Sequence, residues 1–397
     1  MRKNRKLGIL ATASVLASTT VFNGAAQAQS EGAVNTDDNV IIVTARGRDE
    51  LVLDVPLSET VFDAKAISDA NIQRVDDFIG LTPGITISNS QDAGTNFISV
   101  RGLSQTRNGE PPVAVLIDGV LQTNSRSFDQ PLFDVESIEV LRGPQGALYG
   151  RNATGGAIII KTKAPTNDFE GYAQATSGTG EDYGFEGSVS GPLVEDKVFF
   201  RLSGKYTNRD GYRDNVILGQ KVTYLEDIAL RGQLRFEPSD TVTIDLRGSL
   251  VRTEAGSLNF SYQPAVINTA TGLPSAFDFT INDSNIVARD FYTNNLGLDD
   301  RDVDQLSLRV NFDLDFADLS FVSAYDKITQ SPGSYQFPYS AASQVTPAPP
   351  FPFFDGIQSQ FIDVETFSQE VRLTSKNDTA FRWMVGGYYL DTNRFIS

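Results

Sequence analysis

The chain has 397 residues, no cysteine, no histidine and a formal net charge of −17. The missing residue types exclude disulfide frameworks, thiolate metal sites, Ser-His-Asp and Cys-His catalysis, and the commonest metal ligand. The acidic balance argues against a nucleic-acid partner, because phosphate binding needs a basic surface.

Glycine and phenylalanine are frequent, at 33 and 26 residues, and methionine and tryptophan are scarce, which suits strands and turns better than helices. No run of about 18 apolar residues occurs, which excludes an ordinary transmembrane helix but not a transmembrane β-barrel.

In chain order, the first element is a basic head of Arg2, Lys3, Arg5 and Lys6, followed by an apolar stretch to residue 22 and by Ala26-Gln27-Ala28. This is the layout of a secretory signal peptide over residues 1–28. Residues 29–50 form a polar tether without periodicity. A β-prone hexamer interrupts it: Val40, Ile41, Ile42, Val43, Thr44 and Ala45. Such a run near a flexible end suits either addition as a strand to another protein's sheet or an ordinary first strand.

Residues 51–165 read as an α/β domain. A strand is expected over 58–62. A helix is expected over 66–81, where Ile67, Ala70, Ile72, Val75, Phe78 and Ile79 recur at helical spacing until Thr82-Pro83-Gly84 stops it. Strands follow at 85–88, 97–101 and 113–117, with Asp118-Gly119 as a turn signal. The last pair, 138–141 and 157–162, encloses glycines 143, 146, 150, 155 and 156. The run GPQGALYG lacks both the G-x-G-x-x-G spacing and the Walker lysine-hydroxyl pair of phosphate loops. Arg101 and Arg142 stand at strand ends beside glycines, and either one, if buried, needs a carboxylate partner.

After Pro165 the pattern changes to long alternating segments. Residues 197–207 place Val198, Phe200, Leu202 and Tyr206 opposite Arg201, Ser203, Lys205 and Thr207. Residues 227–237, 241–250 and 305–315 repeat the pattern, with Arg231, Arg235, Arg247 and Arg309 on polar faces. Each segment is about the 9–11 residues of a tilted membrane strand. A soluble sandwich alternates too. Full charges on the polar face, and connections that alternate short (238–240, 316–318, 376–379) with long (208–224, 253–304, 330–363), favour the membrane. Aromatics near strand ends, such as Phe236, Tyr325 and Tyr388, fit an interfacial girdle and plain strand propensity equally. The aspartates of 253–304 lack EF-hand spacing and read as a solvated acidic loop. Glu370 shares a polar face with Ser368, Arg372 and Thr374.

The runs LTPGITISN, ISVRGL, VAVLIDGV and IEVLRGPQGALYGRNATGGAIIIKTK, in that order, closely resemble the plug of TonB-dependent outer-membrane receptors. The hexamer Val40 to Ala45 resembles the TonB box, and FSQEVRLT, residues 367–374, resembles a recurring barrel-strand motif of that family. The resemblance implies an α+β plug domain followed by an antiparallel transmembrane β-barrel in the Gram-negative outer membrane. It assigns residues 1–28 to a signal peptide, 29–50 to a tether with its box at 40–45, 51–165 to the plug and 166–397 to the barrel. It implies active uptake of a large scarce solute without covalent chemistry or cofactor. Ferric siderophore is the default cargo, and carbohydrate or vitamin B12 the alternatives. The implied partners are TonB, energised by ExbB/ExbD, and outer-membrane lipid. In the family, arginines matching Arg101 and Arg142 face glutamates on the barrel wall, which makes Glu370 the candidate partner in a charge latch. No residue is singled out for ligand or metal contact.

About nine strands follow Pro165, against the roughly 22 of plugged transporters. The chain therefore reads as the N-terminal portion of a longer protein, with a truncated receptor as the alternative. A signalling receptor needs an extra domain ahead of the box, where only about a dozen residues stand, fewer than any domain requires. A secreted enzyme or lectin-like β-sandwich is the remaining class, and no motif points to it.

Overall fold

In the computed structural model the described residues are 58–89, 96–105, 109–215, 218–256, 297–334, 358–376 and 381–397; of 42–43, 50–51, 267–268 and 273–274 only the strand pairing is described. The expected signal peptide lies outside the described residues. So do Val40, Ile41, Thr44 and Ala45 of the box. Ile42 and Val43 form a short strand paired antiparallel with Glu50–Leu51.

The first body is built on a five-stranded sheet. Its strands are β1 (Ser58–Asp63), β4 (Val113–Ile117), β5 (Val120–Leu121), β6 (Val135–Arg142) and β7 (Gly156–Thr162). They lie in the order β1-β6-β7-β4-β5, with β7 and β4 parallel and the other neighbours antiparallel. A smaller sheet holds β2 (Ile85–Asn89), β3 (Asn96–Val100) and Leu103–Ser104. Asp118 and Gly119 both have positive φ, +48° and +75°, as a two-residue type I′ hairpin between β4 and β5 requires.

The single helix expected over 66–81 is two helices, α1 (Ala64–Asp69) and α2 (Val75–Gly80). Asn71, at φ +50°, turns the chain between them. Asp63 caps α1 by accepting the Ala66 N–H at 2.7 Å, and Asp77 returns to the Arg74 N–H at 2.9 Å to start α2 afresh. The apolar periodicity spans the break because α2 buries Val75, Phe78 and Ile79 in a core against which the partly buried Ala66 and Ile67 of α1 also pack. That core joins Ile72, Val75, Phe78 and Ile79 to Val113, Val115, Ile138, Val140, Ile158 and Ile160 on one sheet face. The other face carries Ala114, Leu116, Leu141, Ala157 and Ile159. A Cβ on Gly156 would stand 2.3 Å from the Leu141 carbonyl oxygen, so the β6–β7 pair closes only over a glycine. Two four-residue helices belong to the same body: α3 (Ser125–Phe128), and α4 (Gly146–Tyr149) in the glycine-rich run between β6 and β7.

The second body is a ten-stranded antiparallel sheet. Nine strands follow in chain order, with Gln358–Ser359 paired beside the seventh. They are β8 (Glu170–Gly178), β9 (Asp182–Val194), β10 (Val198–Arg209), β11 (Leu225–Ser239), β12 (Val242–Ala255), β13 (Leu298–Asp313), β14 (Ala317–Ser334), β15 (Ile362–Ser375) and β16 (Met384–Ile396). The strands run from 9 to 18 residues, longer than the crossing length expected for most of them. The ladder pairing continues into segments expected as long loops; residues 299–304, read as loop, lie in β13. Leu202, Leu230, Leu234, Leu246, Leu306, Phe321 and Val371 are exposed on one face of this wall. The opposite face packs on the first body. No helix among the described residues is long and apolar enough to cross a membrane.

Candidate functional site

The polar faces of the wall strands meet the first body through arginines. β10 presents Arg201, Ser203 and Lys205 at alternate positions on its inward face. Arg201 donates from Nε and Nη2 to the two carboxylate oxygens of Asp134, at 2.7 and 2.6 Å, and both side chains are almost fully buried. Ser203 Oγ also donates to Asp134. Burial alone would raise the Asp134 carboxyl, but the hydrogen bonds from Arg201 and Ser203 carry it below its ordinary value.

Next to it, Phe133 enters an apolar socket of Ala229, Val251, Val303 and Ile328, supplied by four successive wall strands. Arg231 covers the Phe133 ring at 4.3 Å and donates to the Phe133 carbonyl at 3.1 Å. Lys205 donates to the Leu132 carbonyl at 3.2 Å and pairs with Glu186 at 3.3 Å. Three consecutive residues, Leu132 to Asp134, are thus held by one aromatic anchor and three cations.

Other contacts spread along the wall. Arg301 donates to the Asp129 carbonyl at 2.8 Å. Arg74, at the start of α2, points the opposite way and pairs with Asp227 of β11 at 2.6 Å and with Asp129 at 3.4 Å. Arg247 pairs with Asp118 at 3.1 Å without hydrogen-bond alignment, and Arg309 donates to the Asp118 carbonyl. Asp118 also accepts from the Thr162 N–H and hydroxyl, at 2.8 and 2.9 Å.

A cavity of about 980 Å³ lies between the bodies at the short-turn end of the wall. Its lining includes Asp118, Tyr149, Lys161, Arg235, Arg247, Arg309, Glu370, Arg372 and Lys376. Most of the cations there are already paired, Arg235 with Asp245, Arg372 with Glu370, and Lys376 with Asp313 and Asp318. The space is polar and internally neutralised rather than a site of one sign. Among the described residues no group of three or more acidic side chains could hold a metal ion.

The expected latch is corrected by this geometry. Glu370 does face the first body, but its ion partner is Arg372, two residues on along β15. Arg142 donates to the carbonyls of Pro83 and Glu59, at 3.1 and 3.5 Å. Strand parity is the reason. Arg142 lies on the β6 face that carries Ile138 and Val140, toward the helices, whereas Glu139 and Leu141 point to the face turned to the cavity. Arg101 is exposed in a tight turn, at φ +49°, with its guanidinium over Gly143. Among the described residues no ion pair involves Arg101 or Arg142. The working contacts largely reverse the expected polarity: the wall supplies arginines, and the first body supplies Asp118, Asp134 and carbonyls. The alternating strands already placed Arg201, Arg231, Arg247 and Arg309 on the inner face; nothing local in the sequence marks Asp118 or Asp134 as their acceptors.

A family model for the TonB-dependent receptor plug domain matches residues 52–157. The chain is 34% identical over 165 residues to the pesticin receptor of Yersinia pestis, covering 41% of this chain and 24% of that protein. It is 30% identical over 278 residues to the probable TonB-dependent siderophore receptor PirA of Acinetobacter baumannii, covering 59% of this chain and 36% of that protein. In fold it is similar to the ferric yersiniabactin uptake receptor FyuA of Yersinia pestis, with a TM-score of 0.71 at 24% identity, over 86% of this chain and 49% of that structure. The chain spans less than half the length of these relatives. These relatives are named as receptors, FyuA as a ferric yersiniabactin uptake receptor and PirA as a probable siderophore receptor. Residues 52–157 thus match the plug domain of TonB-dependent receptors, and the plug and strand wall together are similar in fold to a solved receptor of that kind.

Proposed function

We propose that the protein takes up a ferric siderophore across the Gram-negative outer membrane, powered by TonB. The observation that carries this reading is the plug over 52–157 held inside a strand wall whose outer face is apolar. A plugged wall has to be opened against the Leu132–Asp134 anchor, which calls for an external force. Siderophore as cargo draws on relatives named as siderophore receptors, including the ferripyoverdine receptor of Pseudomonas aeruginosa. In this reading residues 1–28 direct export, and Val40, Ile41, Ile42, Val43, Thr44 and Ala45 pair with TonB, which ExbB/ExbD energise.

Two measurements test it. Deletion of the gene should reduce growth and iron uptake from at least one ferric siderophore under iron starvation; no change across a siderophore panel sinks the cargo. Val43→Pro should abolish uptake and leave cargo binding intact, because proline removes a ladder donor. Full uptake by that variant sinks the box.

A further inference from the structure

We propose that Glu59 is a proton-controlled weak point that lets β1 leave the plug sheet. β1 is an edge strand, joined only to β6 among the described residues, and it is the first long plug strand after the tether. Its register with β6 runs from Ser58 opposite Arg142 to Asp63 opposite Ser137. Val61 and Glu59 therefore share the sheet face of Glu139 and Leu141. Val61 packs there with Leu141 and Ala157, as an edge strand should. Glu59 does not fit that environment. Among the described residues, nothing donates a hydrogen bond to either of its carboxylate oxygens, and both are shut off from solvent. A buried acceptor without a donor weakens whatever strand carries it.

The charged and titratable groups on that face do not relieve Glu59. On β6 the neighbour is Glu139, fully buried and of like charge. On β7, Lys161 is 3.5 Å from Glu139. On α4 stands Tyr149, and from the wall Arg372 is paired with Glu370. Arg142 donates to the Glu59 backbone carbonyl from the opposite face, which leaves the carboxylate alone. Burial, with the charge of Glu139 added, pushes the Glu59 carboxyl up to about 7 from 4.5.

The sign follows from linkage. In the sheet Glu59 favours its protonated form, and released into water it ionises at the ordinary value. β1 is held most firmly below pH 4.5, loosens as the pH rises and is loosest above about 7. The side chain is only half buried, so the expected change in strand opening between pH 5 and pH 8 is about tenfold rather than the full shift.

The test is amide deuterium exchange on the receptor extracted from its outer membrane into detergent, with β7 amides as the internal reference at each pH. Protection of β1 relative to β7 should fall about tenfold from pH 5 to pH 8. In Glu59→Gln it should stay high and flat, with β7 unchanged. A wild-type ratio that does not move with pH overturns the proposal, whether or not the variant folds. So does an equal fall in Glu59→Gln. Use of this weak point in transport rests on the uptake reading above, and is read separately: Glu59→Gln should slow uptake several-fold with cargo binding unchanged. Flat exchange with normal uptake sinks the weak point alone, whereas pH-dependent exchange with no dependence of uptake on the box sinks the TonB reading alone.

Discussion

Asp134 shows how single residues hold the plug to the wall. Its carboxylate replaces lost water with a two-pronged contact from Arg201 and a hydroxyl from Ser203. Removing one partner leaves the other charged and buried, which costs about 3–5 kcal/mol. Asp134→Ala and Arg201→Ala are each expected to lower the thermal unfolding midpoint and to admit large antibiotics. The double variant should lose less than the sum, as a double-mutant cycle would show. The acid response opposes that of Glu59. Asp134 sits below the ordinary carboxylate value, so its contribution is complete at neutral pH and is lost as pH falls through its folded value. Unfolding midpoints of wild type and Asp134→Asn should converge in acid; a constant gap down to about pH 2 refutes the pairing. Neither carboxylate was legible beforehand. Nothing adjacent to Asp134 marks it, and Glu59 is simply one position of the strand expected over 58–62, because burial on one face of a sheet depends on what that sheet packs against.

At the level of elements, the short strands and tight turns were legible because their signals are local. Asp118-Gly119 marks a hairpin by residue type, and both residues adopt the positive φ that the turn demands. Gly119 has a second constraint that no local signal carries: a Cβ there would meet the Arg309 guanidinium at 2.2 Å. Gly119→Ala should therefore cost about 1–3 kcal/mol in denaturant unfolding, from backbone strain and the displaced arginine. An unchanged midpoint counts against the contact. The helix boundary was misplaced for a related reason. Periodicity reports which residues face a core, and α1 leans its half-buried Ala66 and Ile67 on the core that α2 fills, so the break at Asn71 leaves the apolar spacing almost intact. The charge latch failed on parity. Arg142 is three positions from Glu139 and so on the opposite face of β6, which decides which carboxylates it can reach.

For the molecule as a whole, the wall has one apolar face and one charged face, whose groups pair partly with the plug and partly with each other. The two faces predict unequal tolerance. Leu230→Arg, on the exposed apolar face, should cost about 2–4 kcal/mol and reduce assembly into the outer membrane, measured by heat-modifiable migration of the folded barrel. Ser307→Arg, beside the cavity, should assemble normally. Equal assembly of both variants would contradict the membrane reading of the wall.

The amino-acid sequence by itself determined the succession of plug and strand wall, the inward arginines and the tight turns. Each of these follows from periodicity or from residues adjacent along the chain. Tertiary structure alone decided which acids and carbonyls those arginines meet, that Glu370 pairs along its own strand, and that Glu59 has no hydrogen-bond partner among the described residues. Those outcomes depend on which faces of the strands meet in space, with Arg201 and Asp134 67 positions apart in the chain, and electrostatic energy depends on distance and burial, which no stretch of sequence encodes locally.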